Sequence, residues 1–87
     1  MAYIIKANNK DYVVSPHAAM RMLQRGISEE LVILTLENGT ITEQSHGTDL
    51  FEYSVYDDDW EETITIQVVV DENNQIIVTV IDQTQED

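Results

Sequence analysis

Ser15-Pro16-His17-Ala18-Ala19-Met20-Arg21-Met22-Leu23-Gln24-Arg25-Gly26-Ile27-Ser28-Glu29-Glu30 is the stretch whose reading decides the fold. Ser15 can offer its side-chain oxygen to the unpartnered N–H groups of a starting helix. Pro16 at the first helical position loses nothing, because its missing N–H has no intrahelical partner there. Gly26 tolerates the left-handed conformation that ends a helix, so the first helix is predicted over 16–25. Ser28 caps again at once, with Glu29 and Glu30 in the first turn where the helix dipole favours acids. The second helix runs to about Asn38 and stops at Gly39. Two short helices joined by Gly26-Ile27 form a helical hairpin.

At about 100° per residue the first helix divides into two faces. Ala18, Ala19, Met20, Met22 and Leu23 occupy a broad apolar arc, and His17, Arg21, Gln24 and Arg25 fill the remaining stripe. The second helix is apolar nearly all round, which predicts the deeper burial of the two. Upstream, Tyr3 to Ala7 and Tyr12 to Val14 read as short β-type runs separated by Asn8-Asn9-Lys10-Asp11, either a hairpin or one irregular edge strand. Downstream, strands are predicted over 40–44, 50–56, 63–70 and 75–81, the last two joined by the hairpin loop Asp71-Glu72-Asn73-Asn74. Ile64, Ile66, Val68 and Val70 share a face with Ile76, Val78 and Val80, the expected floor beneath the helices. The opposite face carries Thr65, Gln67, Val69, Ile77, Thr79 and Ile81, apolar enough to call for cover. The expected architecture is α+β: a helical hairpin on a twisted, mostly antiparallel sheet of four to five strands, in the order β(β)ααββββ. One domain spans residues 1–87, with 83–87 frayed.

The 87 residues carry a formal net charge of −13 and no cysteine. Without cysteine there is no disulfide framework, no thiolate zinc site and no cysteine nucleophile. The absence of a secretory leader pattern and of a span of ~20 apolar residues makes a cytoplasmic protein the expectation, with no membrane partner. The charge is unevenly placed. Lys6, Lys10, Arg21 and Arg25 balance four acids up to Glu37, whereas 13 acids and no Lys or Arg follow from Asn38 onward. Such a field repels phosphate backbones and attracts cations or basic proteins.

The His17, Arg21, Gln24, Arg25 stripe is the leading candidate site. His17 and Arg21 are helical neighbours at i, i+4; a histidine moves protons near neutral pH, and arginines bind phosphate or a developing oxyanion. The same stripe could be a solvated face, or its arginines could pair with acids of the sheet. Asp57-Asp58-Asp59 with Glu61 and Glu62 could hold a hard cation, but lacks the spacing and glycine of a calcium loop; a solvated, aggregation-opposing loop is the plainer reading. His46 reads as a turn residue. Trp60 is expected to fold back onto the core. No phosphate-cradling glycine loop is present, and no metal or cofactor is expected.

Ser15, His17-Ala18, Arg21-Met22 and Arg25-Gly26-Ile27-Ser28, followed by Glu37-Asn38-Gly39 and Val78-Thr79-Val80, resemble the pattern of the bacterial family known as domain of unknown function 4258. That family is similar, more distantly, to the RelE-like ribonuclease toxins, which cleave RNA without metal using His, Arg, Lys, Tyr or Thr. The resemblance carries His17, Arg21, Arg25 and Thr79 over as catalytic candidates. Toxins of that kind also project Lys and Arg from the sheet, and the sheet expected here has neither. The functional expectation is a non-catalytic interaction or regulatory module engaging a basic protein surface, or a second copy of itself through the sheet. The alternatives are a metal-independent endoribonuclease and an acidic mimic of nucleic acid.

Overall fold

Both serine caps fold as their spacing requires. In the computed structural model, which describes residues 3–83, helix α1 spans Pro16–Arg25 and helix α2 spans Glu29–Asn38. Ser15 Oγ accepts from the Ala18 N–H at 3.1 Å, and Ser28 Oγ from the Leu31 N–H at 3.2 Å. Gly26 closes α1 at φ 67°, and the next N–H, of Ile27, donates to the Met22 carbonyl at 2.9 Å. Gly39 ends α2 for a different reason. Its φ of −74° suits any residue. A Cβ there would instead fall inside contact distance of the Thr35 and Glu52 carbonyl oxygens, so only glycine lets β4 pass this close to the helix end.

Six strands follow the chain: β1 Ile4–Ala7, β2 Lys10–Val14, β3 Thr40–Ser45, β4 Thr48–Asp57, β5 Glu62–Asp71 and β6 Ile76–Asp82. They form one mixed sheet in the order β1-β2-β6-β5-β4-β3. The expected four to five strands are thus six, because the first two runs are a true hairpin. Asn8 and Asn9 both take positive φ, so the turn is two residues long and Lys10 and Asp11 belong to β2; Asn is among the residues that tolerate this conformation. The sheet is antiparallel throughout except where β2 meets β6 in parallel through Val13 and Val14. His46 (φ 51°) and Gly47 (φ 85°) make the corresponding tight turn between β3 and β4.

The predicted phase of β6 needs correction. Val70 pairs with Ile77 but Val69 with Thr79, leaving Val78 as the extra residue of a β-bulge. The bulge flips the alternation, so Ile77 and Val80 enter the core while Ile76 and Val78 do not. It is fastened to the first helix cap: Ser15 Oγ donates to the Val78 carbonyl at 2.9 Å, and the Ser15 N–H to the Ile77 carbonyl at 3.1 Å. One serine therefore caps α1 and holds the bulge.

Both helices cover the same face, and Ile5, Tyr12, Val14, Ala18, Met22, Val32, Leu36, Phe51, Ile66, Val68, Val70, Ile77 and Val80 form one core. Helix α2, crossing β1, β4 and β5, is the more deeply set. Helix α1 lies along β6 and buries only Ala18 and Met22. Its expected broad apolar arc is narrower than the sequence suggests, since Leu23 is 84% exposed and Met20 57%. Trp60 does not fold back onto the core; it is 76% exposed. Of the expected frayed end, Gln83 is held by a 3.0 Å hydrogen bond to the Gln67 side chain, and 84–87 lie outside the described residues.

Candidate functional site

Because β2 ends at Val14, β6 has no strand partner on that side beyond Ile77. Helix α1 occupies the place instead, and its polar stripe follows the free strand edge. Arg21, Arg25, Thr79, Val80, Ile81 and Asp82 line a cleft of about 280 Å³ there. The structure thus gathers three of the four candidates, Arg21, Arg25 and Thr79, and adds the carboxylate of Asp82. His17 and Gln24, both exposed, are not among the cleft's lining residues. Elsewhere in the sheet Lys6 pairs with Asp11 at 3.7 Å and Lys10 with Glu72 at 3.3 Å.

Those lysines also correct an expectation, since both stand in strands, Lys6 in β1 and Lys10 in β2. Each is already engaged by an acid. Tyr12, buried beside them, donates its hydroxyl to Glu72 at 3.3 Å. Burial first, then the charge and hydrogen bond of Glu72, push the Tyr12 hydroxyl up to about 12. Tyr3 is likewise raised to about 12, by burial and then by its 2.7 Å hydrogen bond to Glu29.

At the other end of the sheet the residues from Thr40 to Asp71 include nine acids and no Lys or Arg. Strands β4 and β5 run in register from Thr48–Asp71 to Asp57–Glu62. Near the far end of this hairpin the core-facing pair Val55 and Ile64 is only half buried. With Leu31 of α2 they line a groove of about 490 Å³ whose remaining wall is Tyr56, Asp57, Asp58 and Asp59. Sequence reading marked the acids of this loop but not the groove. Ile64 reads as part of the floor beneath the helices, whereas Leu31 lies in a helix apolar nearly all round and Val55 in the strand predicted over 50–56, so no local pattern brings the three together. Among the described residues no three His, Cys, Asp or Glu side chains are grouped to hold a metal ion, and no helix is long and apolar enough to cross a membrane.

These features define a small α+β domain in which a helical hairpin covers one face of a mixed sheet and the first helix completes its interrupted edge. The chain belongs to the family described as Domain of unknown function (DUF4258), whose model matches residues 14–82. The match begins just before the Ser15 cap and ends with β6, so it contains the cap, the bulge and the cleft, and leaves out β1 and all of β2 but Val14. No curated protein and no solved structure matches the chain.

Proposed function

We propose that this chain is a non-catalytic interaction module of the cytoplasm that engages a basic protein surface. The observation that carries the reading is the segregation of charge by the fold. All four Lys and Arg residues sit on β1, β2 and α1, while β3, β4, β5 and their loops carry acids alone. A surface of one sign steers an oppositely charged partner and rejects phosphate backbones. A nucleic-acid-binding protein is one such partner, for which the acidic end would act as a mimic. The open sheet face, with Ile4, Val13, Val69 and Ile81, is where a second copy would pack. Capture from the native host, followed by titration with the purified partner, tests the proposal. The expected partner is basic and dissociates as salt rises.

A second reading, metal-independent ribonuclease activity of the RelE-like kind, draws on the meeting of Arg21, Arg25 and Thr79 at one cleft. Against it, His17, the group best suited to exchange protons, is outside the cleft lining, which includes the carboxylate of Asp82. Purified protein in the presence of chelator is expected to leave RNA intact. Metal-independent cleavage lost on His17→Ala, in a variant that stays folded, would favour the second reading over the first.

A further inference from the structure

We propose that the groove between α2 and the end of the β4–β5 hairpin is a docking site for a partner segment that pairs Arg or Lys with apolar residues. The proposal rests on the basic-partner reading above and adds the surface and the chemistry. The floor is apolar: Leu31, Val55 and Ile64 come from three elements and remain half buried. The rim is anionic: Asp57, Asp58 and Asp59 line the same groove, Glu61 follows in the loop and Glu62 opens β5, and among the described residues none of these acids forms a salt bridge. Tyr56 borders it and is 58% exposed.

Charge and shape together select the occupant. A bare cation would satisfy the acids but leave the apolar floor wet, and the carboxylates are not grouped to chelate one. An apolar segment would cover the floor and strand the carboxylates against it. Arg and Lys have aliphatic stems that lie on apolar surface while the charged head reaches the rim. An exposed tyrosine face adds attraction for such a cation. The groove is lined by seven residues, a footprint that matches a short segment rather than a domain.

Trp60, the chain's one tryptophan, lies in the same loop and reports binding by its fluorescence. The probes are a short peptide alternating Arg and Leu, its counterpart with Gln for Arg, and oligoarginine. The Arg–Leu peptide is expected to bind at least tenfold more tightly than either of the others. Its affinity should fall at least tenfold in the double variant Asp58→Asn/Asp59→Asn. It should change less than threefold in Glu30→Gln/Glu43→Gln, which removes equal charge from exposed positions outside the groove. Leu31→Ser, with its fold checked by circular dichroism, should weaken the Arg–Leu peptide and leave oligoarginine unchanged. Equal binding of oligoarginine and equal losses in both double variants would overturn the groove but leave the basic-partner reading standing. Failure of every basic peptide to bind at low salt would overturn both.

Discussion

Tyr12 couples the core to the acidic loop before β6, and its chemistry gives the fold an alkaline limit. It is 1% exposed, with its hydroxyl on Glu72. The folded protein holds it neutral up to about 12, against the ordinary value of 10. Below pH 10 both folded and unfolded chains keep the proton, and the stabilising contribution is complete. Between pH 10 and 12 the unfolded chain ionises first, so stability falls as pH rises, by on the order of 2–3 kcal/mol for this one group. Urea titrations at pH 9 and at pH 11 should show about half of that decline, roughly 1 kcal/mol, in the native protein and a shallower one in Tyr12→Phe. At neutral pH the variant should lose about 1 kcal/mol with the hydrogen bond. An equal alkaline decline in both proteins would remove Tyr12 as its cause. At this scale the sequence is uneven in what it discloses. The caps at Ser15 and Ser28 are local chemistry and can be read directly. The second bond of Ser15, to a carbonyl 63 residues away, has no local signature.

Elements show the same division. Helix limits were legible because caps and glycine stops act within one turn. The working face of α1 was not, because an apolar arc states what a helix could bury and not how wide a surface it meets. α1 meets the free edge of one strand, so Ala18 and Met22 are covered while Leu23 stands in solvent. Leu23→Lys should therefore change stability by no more than about 0.5 kcal/mol, whereas Met22→Ala should cost about 2–5 kcal/mol. Denaturant midpoints of the two variants check this, and comparable losses would mean that Leu23 is covered. Ile77 and Ile76 exchanged faces for a related reason. A period of two is readable in 76–81, but the residue that interrupts it is chosen by tertiary contacts, here the cap of a helix 63 positions earlier. The cleft residues follow suit: Arg21 and Arg25 declared themselves by helical spacing, while Thr79 came from family resemblance and Asp82 emerged only once β6 lay beside α1.

Across the whole molecule, the charge proposed to select a basic partner must also weaken the isolated fold. Thirteen acids after residue 38 meet no Lys or Arg of their own segment, and the two lysine bridges are exposed and hence individually weak. With a radius of gyration of 12.4 Å, many carboxylates of the acidic end fall within the ~30 Å screening length of a 0.01 M salt solution. Raising salt to about 0.1 M shortens that length to ~10 Å, which silences the distant repulsions and leaves those within the loop and between neighbouring strands. An expanded, unfolded chain spreads the same charges further apart, so repulsion falls mainly on the native state. The urea midpoint should accordingly rise between about 0.01 and 0.1 M sodium chloride. Asp58→Lys, which puts a cation among the acids of the loop, should stabilise the protein at the lower salt, and this gain should shrink at the higher. A midpoint that falls with added salt would mean that the attractive pairs outweigh the acidic end. In that case the fold would not carry the net repulsion that the proposed basic partner is expected to relieve.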